Sequence, residues 1–219
     1  MKHGYTNLTS GDRSVVTKSY RGPDPERRCA QETTVLEALA GKLPVPPLFS
    51  CSNTSVIMGR LQGVHGQELI DSGLAEPVLQ ACGGTLRRIH AVDPLPVVGD
   101  SPSADSVLVH GDYGPQNVLL DEAGLEVTGI VDWEWAHAGS PVEDMAWCEW
   151  IIRMHHPAAV GDLGSFFAAY GHQPTWSDRH RSMLAQCRAL LAFCERWQAG
   201  GRSCQIWRQR IAVTESWVE

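Results

Sequence analysis

The 219-residue sequence predicts an α+β protein with two parts, a small strand-rich part over residues 1–60 and a larger helical part over residues 61–219. Short apolar runs bounded by turn residues, the pattern of β-strands, dominate the first part. Apolar residues at helical spacing dominate the second part from residue 75 onward. Two further short apolar runs, near residues 108 and 130, end on polar residues and mark the candidate functional site.

The first part is expected to be a small sheet with one helix. Its elements, in chain order, are a strand near 3–8, a strand over 14–20, a helix over 25–40, an extended connector over 44–47, a strand over 55–58 and a hinge over 59–63. We expect Asp24 to cap the helix and Pro25 to take its first position, where a missing N–H is tolerated. Because proline cannot donate to a β-ladder, the Pro-Val-Pro-Pro connector cannot be a central strand.

Helical periodicity defines the second part. The clearest case is Ala75–His90, where the apolar residues fall on one helical face, at positions 75, 78, 79, 82, 86 and 89. Further helices are expected over residues 141–155, 158–170, 177–199 and 203–217.

Composition argues against several classes of protein. The net charge of −7 disfavours binding to nucleic acid, and the lack of an 18-residue apolar run predicts no membrane span. The seven cysteines are scattered and form no Cys-x-x-Cys pair, which favours free thiols over disulfides or a zinc site. We therefore expect a cytoplasmic protein whose partners are small molecules, without nucleic acid or membrane.

The most informative segment begins at Val107. Three apolar residues lead to His110-Gly111-Asp112, and Asn117 follows five residues after Asp112, directly before another apolar run. A turn then leads to a third apolar run, which ends on Asp132. Hairpin-like strands would bring Asp112, Asn117 and Asp132 close together. Two carboxylates and one amide oxygen can bind a divalent cation and a substrate hydroxyl. Phosphoryl transfer requires both of these interactions.

This pattern, His-Gly-Asp-x-x-x-x-Asn followed by Ile-Val-Asp-Trp-Glu, resembles the aminoglycoside phosphotransferases and related choline, homoserine and other small-molecule kinases. The resemblance implies a bilobal protein-kinase-like fold. A reduced N-lobe over residues 1–60 would bind the nucleotide, and a helical C-lobe over 61–219 would hold the catalytic loop and the acceptor site. It also implies that Asp112 accepts the hydroxyl proton and that Asn117 and Asp132 bind Mg²⁺.

The same resemblance implies a strand lysine that contacts the nucleotide phosphates and is held by a glutamate on the next helix. Lys18 is the one lysine of three that lies in a strand pattern. A buried ammonium needs a carboxylate partner, and Glu32 is the candidate, with Glu37 as the rival.

Purine binding is expected at the segment between the two parts. Met58, Gly59 and Leu61 align with the family's inter-lobe hinge, where main-chain groups bond the base. Met58 would line the base pocket. Alternatively, it packs in the hydrophobic core without contacting the nucleotide. Backbone recognition constrains few side chains, so ATP and GTP both stay open as donors.

Other polar residues near the loop have simpler expectations. His110 is expected to bond neighbouring backbone, and Asp144 resembles the family's aspartate that supports the catalytic loop, the alternative being an exposed first-turn aspartate. Tryptophans cluster after the loop near Glu134, Glu143 and Glu149, which would suit an amino-sugar acceptor, although most of them are expected in the core.

The sequence thus predicts a Mg²⁺-dependent phosphotransferase that uses ATP or GTP to phosphorylate a hydroxyl of a small molecule. An aminoglycoside or another hydroxylated antibiotic is the leading acceptor. Two alternatives stay open. One is a metabolic kinase of the choline, homoserine or sugar type, and the other is a nucleotide-binding pseudokinase.

Overall fold

The computed structural model describes residues 7–93, 103–123 and 125–219. The first part contains four strands and one helix: β1 (Asn7–Gly11), β2 (Val15–Tyr20), α1 (Pro25–Leu39), β3 (Leu48–Cys51) and β4 (Ser55–Gly59). The strands form one antiparallel sheet in the order β1-β2-β4-β3. The strands expected over 14–20 and 55–58 and the helix over 25–40 are confirmed. The first strand continues to Gly11 instead of ending near residue 8, and residues 3–6 of that expectation lie outside the described residues. Strand β3 was not predicted.

Strand β2 is an inner strand, between β1 and β4. Residues two apart on a strand point to the same face, so Lys18 and Tyr20 share a face, and both are buried. Helix α1 lies against that face, where Glu32 is also buried. This packing brings a strand lysine and a helix carboxylate into the same buried layer.

Asp24 precedes helix α1 as expected, but its side chain does not cap the helix. Asp24 occupies the N-cap position, and a proline follows in the first turn as predicted. However, Asp24 has a left-handed backbone with φ of 51° and makes no side-chain cap bond. Its Oδ2 instead accepts a hydrogen bond from Arg196 Nη1 at 2.9 Å, on a helix near the end of the chain. A long-range ion pair has replaced the local cap.

The second part is mostly helical. Its elements, in chain order, are β5 (Val64–His65), α2 (Gly66–Asp71), α3 (Ala75–His90), β6 (Val107–Val109), β7 (Val118–Leu120), β8 (Val127–Ile130), β9 (His137–Gly139), α4 (Val142–His155), a 3₁₀ helix (Pro157–Asp162), α5 (Leu163–Tyr170), α6 (Trp176–Trp197) and α7 (Arg202–Glu215). The predicted helices are confirmed, but the one expected over 158–170 is split. Gly161 is a poor residue for an α-helix interior, and a 3₁₀ helix over Pro157–Asp162 precedes α5.

The short strands set the geometry of the functional segment. β7 and β8 form the expected antiparallel hairpin, and β5 adds to its edge. β6 pairs instead with β9, so the strand that leads to His110 is held by residues 137–139. The predicted grouping of strand ends is present, built from two separate small sheets.

Two clusters of buried apolar side chains support this arrangement. One runs through both parts of the chain and includes Val56, Leu86 and Ile130. The other lies between α4, α6 and α7 and includes Trp147 and Trp150. Across the described ranges, no helix is both long enough and apolar enough to span a bilayer.

Candidate functional site

The loop from residue 110 to 117 turns sharply at Gly111. This glycine has φ of +82°, and a Cβ placed there would lie 2.4 Å from the carbonyl oxygen of Trp135. Glycine adopts such a conformation without the steric penalty that a side chain brings. The His-Gly-Asp order is therefore required by a left-handed turn that packs tightly against a neighbouring segment.

Asp144, at the start of α4, binds the backbone of this loop. Its Oδ2 accepts from the backbone N–H of His110 at 2.7 Å, and its Oδ1 accepts from that of Gly111 at 3.0 Å. Burial alone would raise the pKa of Asp144, but hydrogen bonds from His90 and His110 hold it below its ordinary value. Asp144 is fully buried, so the alternative of an exposed first-turn aspartate is wrong.

His110 links the loop to the segment that carries Asp132. Its Nε2 lies 3.0 Å from the carbonyl oxygen of Val131, and its ring packs on Trp133 with centroids 4.4 Å apart. Burial lowers the pKa of His110 despite the nearby carboxylates, which favours the neutral ring. This geometry agrees with the expected structural role.

Asp112 receives a hydrogen bond on each carboxylate oxygen. Asn117 Nδ2 donates to Oδ2 at 3.0 Å, and Trp147 Nε1 donates to Oδ1 at 2.7 Å. Burial and the charge of Asp132 raise the pKa of Asp112 to about 7, although these two hydrogen bonds lower it. A carboxyl group that titrates near neutral pH can exchange a proton under physiological conditions.

Asp132 meets Lys18 at the junction of the two parts. It lies just after β8 with φ of +71°, a conformation that few residues other than glycine adopt. Its Oδ1 accepts a short hydrogen bond from Lys18 Nζ. Burial opposes the charged state of both groups, but their mutual attraction lowers the pKa of Asp132 and raises that of Lys18 above its ordinary value.

The structure also brings Lys18 and Glu32 together. Lys18 Nζ donates to Glu32 Oε2 at 2.6 Å, and both side chains are buried. Glu32 accepts two further bonds, from the hydroxyl of Tyr20 and from the backbone N–H of Trp133. The rival, Glu37, is exposed. The helix is thus oriented with Glu32 toward the strand lysine.

The three expected hinge residues pack against, or hydrogen-bond to, neighbouring strands and loops. Met58 is buried between its sheet partners Val16 and Leu48. The N–H of Gly59 donates to the carbonyl oxygen of Pro47 at 2.8 Å, so this donor is already used. Leu61 lies close to Gly129 on β8.

Comparison with known proteins agrees with this geometry. Residues 95–183 match the model of the phosphotransferase enzyme family, and this range contains the loop, Asp132 and Asp144. The matched segment is similar to this family and makes up less than half of the chain. Viomycin phosphotransferase from Streptomyces vinaceus is 37% identical over 62 residues, which are 27% of this chain and 20% of that protein.

Solved structures of phosphotransferases and kinases share the fold over nearly the whole chain. The GDP complex of wild-type aminoglycoside 2'-phosphotransferase-IIIa gives a TM-score of 0.75 at 12% identity and covers 99% of this chain and 91% of that one. A choline/ethanolamine kinase family protein from Mesorhizobium loti gives 0.69 at 13% identity, with 98% and 85% covered. The predicted kinase-like fold, with a small strand-rich part and a larger helical part, is confirmed.

Two residues beside Lys18 and Asp132 were not predicted as a pair. Glu134 Oε2 accepts from Arg28 Nη1 at 2.6 Å, and its Oε1 lies 3.7 Å from Lys18 Nζ. Arg28 precedes Glu32 by four residues and therefore lies on the same face of α1. That spacing was a usable signal, whereas nothing in the sequence indicated that Glu134 would be its partner.

The other acidic residues near the tryptophans are paired with basic side chains. Glu149 is buried and bonded to Arg179 at 2.7 Å and Arg153 at 2.8 Å. Glu143 bonds His137 at 2.9 Å, and that bond raises the pKa of His137 to about 9. Each of these glutamates, like Glu134, has a basic partner, and their expected role in a sugar site stays a prediction.

An open cavity of about 470 Å³ lies between the start of α4 and α6, beside Ser140, Met145, Asp178 and Arg181. None of the predicted site residues lines it. The cavity is therefore distinct from the cluster around Asp112.

Proposed function

We propose that this protein transfers the γ-phosphoryl group of ATP or GTP to a hydroxyl group of a small molecule. The convergence of Asp112, Asn117, Asp132 and Lys18 carries the proposal. Lys18 is distant from the other three in the chain, yet it bonds directly to Asp132, and Asn117 bonds directly to Asp112. A bond from the Val131 N–H to the Asn117 carbonyl oxygen, at 3.0 Å, ties the two halves together.

In this proposal Asp112 accepts the proton of the acceptor hydroxyl. As the O–H bond breaks, the acceptor oxygen forms a bond to the γ-phosphorus, and the bond from that phosphorus to the bridging oxygen of the β-phosphate breaks. A pKa of about 7 leaves much of Asp112 ionised at neutral pH while keeping it basic enough to take the proton. The two fixed N–H donors supply the orientation that transfer requires.

The oxygens of Asn117 and Asp132 fit a hard cation such as Mg²⁺. Mg²⁺ is commonly held by one or two protein oxygens together with substrate phosphates. In the described ranges no group of three or more His, Cys, Asp or Glu side chains could hold a metal by itself. A cation held by this pair together with the nucleotide would offset phosphate charge.

Nucleotide binding is proposed for residues 1–60, with the catalytic loop and acceptor site in residues 61–219. Lys18 would contact the phosphates while Glu32 holds its ammonium in place. Met58, Gly59 and Leu61 would lie along the base. Because the Gly59 N–H is used by Pro47, recognition of the purine would rely on other main-chain groups of this segment.

A hydroxylated antibiotic of the aminoglycoside or viomycin type is the proposed acceptor, supported by the similarity to viomycin phosphotransferase. Two tryptophan faces that could bind a quaternary ammonium acceptor already contact guanidinium groups of the protein itself. Arg210 lies 4.6 Å from the centre of the Trp207 ring, and Arg153 lies 4.7 Å from that of Trp176. The free cysteines suit action in the cytoplasm.

The test is a transfer assay with the purified chain, Mg²⁺ and either ATP or GTP. The acceptor panel contains aminoglycosides, viomycin, choline, ethanolamine and homoserine. We expect nucleoside diphosphate release that depends on one antibiotic, and a phosphorylated product by mass spectrometry. The Asp112→Asn variant is the matched control.

Each other result has a defined meaning. Transfer to choline, ethanolamine or homoserine alone would replace the antibiotic with a metabolic acceptor. Nucleotide binding without transfer to any compound would favour the pseudokinase alternative.

A further inference from the structure

Trp147 contacts the carboxylate at the centre of the site. It lies on α4, three residues after Asp144, and its Nε1 donates to Asp112 Oδ1 at 2.7 Å. The side chain is 4% exposed. Helix α4 therefore contacts the catalytic loop at two points. Asp144 accepts hydrogen bonds from the loop backbone, and the indole of Trp147 donates to Asp112.

The indole ring is itself fixed by packing. It stacks on Trp150 with centroids 4.4 Å apart and planes 4° from parallel, and it packs more loosely against Trp207 on α7 at 6.3 Å. A buried ring between two aromatic neighbours has little freedom to rotate. Its N–H therefore has a defined direction, toward Asp112.

We infer that Trp147 is a positioning residue that fixes the orientation of the Asp112 carboxylate for proton acceptance. Asn117 holds one carboxylate oxygen and Trp147 holds the other, so rotation of the carboxylate breaks both bonds. Hydrogen bonds to a charged acceptor are stronger than neutral ones. The indole N–H only donates, so Trp147 takes no part in moving the proton.

This inference rests on the proposed phosphoryl transfer, and two variants test it. Trp147→Phe removes the N–H but keeps an aromatic ring. Trp150→Phe is the matched control, because it removes an equally buried indole N–H that donates to Thr214 Oγ1 at 2.8 Å instead. Thermal unfolding of both variants checks that they fold.

We expect Trp147→Phe to lower kcat by about tenfold to a hundredfold, the range for losing a hydrogen bond to a charged group. The KM for the nucleotide should stay within about twofold, since the described contacts of Trp147 are with Asp112, Trp150 and Trp207. Trp150→Phe should keep kcat within about threefold of the wild type. Equal losses of kcat in the two variants would show a merely structural role for Trp147.

A second measurement does not depend on turnover. The eight tryptophans give separate indole N–H signals in a ¹⁵N-labelled protein, and the signal missing from Trp147→Phe identifies Trp147. In Asp112→Ala this proton should move upfield because its carboxylate acceptor is gone, while the Trp150 signal stays in place. An unmoved Trp147 signal overturns the inference even if the enzyme is active. A moved signal with no transfer activity would count against the proposed function only.

Discussion

Arg28 Nη1 donates a hydrogen bond to Glu134 Oε2 at 2.6 Å, and this bond joins helix α1 to the segment that follows Asp132. Both side chains are buried. Arg28 also donates to the backbone carbonyl oxygens of Arg21 and Pro23. The guanidinium thus connects three segments around the candidate nucleotide site.

Arg28→Met should destabilise the protein strongly. The change leaves Glu134 buried without its main partner, and removing one member of a buried ion pair costs about 3–5 kcal/mol. Urea unfolding measures the change. The control is Arg208→Met, which breaks an exposed ion pair with Glu195. A free energy of unfolding that falls no further in Arg28→Met than in the control would show that this pair does not hold the segments together.

Asp112→Asn should abolish most turnover while the fold and nucleotide binding persist. Loss of a general base lowers the rate by about 10²-fold or more. The asparagine amide would also face one of the two N–H donors, from Asn117 or Trp147, so a modest loss of stability is expected. Steady-state kinetics and nucleotide titration measure the two effects. More than a tenth of wild-type turnover, with chemistry rate-limiting, would remove Asp112 from the mechanism.

Lys18→Ala and Glu32→Ala should each raise the nucleotide KM or lower kcat. The double variant should be little worse than Lys18→Ala alone, because residues that act as a unit are not additive. Glu32→Ala should also lower the melting temperature, since the Tyr20 hydroxyl and the Trp133 N–H lose an acceptor.

Kinetics well below the melting temperature separate these two effects of Glu32. Glu37→Ala is the control, because Glu37 is an exposed residue of the same helix and should leave the kinetics unchanged. Fully additive losses in the double variant would mean that Lys18 and Glu32 act independently.

The cysteines should differ sharply in reactivity. Cys51 is exposed and should be alkylated first by iodoacetamide. Burial raises the pKa of Cys82 to about 12 and, with weaker opposing interactions, that of Cys187 to about 11, so neither thiol forms much reactive thiolate near neutral pH. Peptide mass spectrometry after brief labelling of native and urea-unfolded protein measures this. Labelling of Cys82 in the native protein as fast as Cys51 would contradict the described packing.

Much of this architecture follows from local sequence pattern. The helical periodicity of Ala75–His90 predicted α3 at its observed ends. The strand pattern around Lys18 predicted β2, and Glu32 followed from the family resemblance. These features depend on residues close together in the chain or on a shared motif, which is why they could be predicted.

The unpredicted features depend on packing between distant segments. The contact of Trp147 with Asp112 spans 35 residues, and that of Arg28 with Glu134 spans 106. Such pairs are fixed by how helices and strands dock, and neither propensity nor periodicity encodes that. The side chain of Asp24 likewise bonds a distant residue, Arg196, and does not cap α1.

Gly111→Ala should disrupt the loop over residues 110–117 through a steric clash. This clash adds to the free-energy cost of placing an alanine in a left-handed backbone conformation. The added Cβ would lie 2.4 Å from the carbonyl oxygen of Trp135, which belongs to the backbone and cannot simply rotate away. Gly73→Ala is the matched control, because Gly73 has a similar φ of +95° but no atom within 4 Å of the added Cβ. The left-handed conformation alone costs about 1–2 kcal/mol in a residue with a side chain.

Gly73→Ala should show only that conformational cost. Gly111→Ala should lose more free energy of unfolding, and it should also lose turnover, because moving the loop weakens its two backbone bonds to Asp144. Urea unfolding and kinetics of the two variants measure the difference. If Gly111→Ala were no less stable than Gly73→Ala and kept wild-type turnover, the close packing of the loop against Trp135 would be wrong.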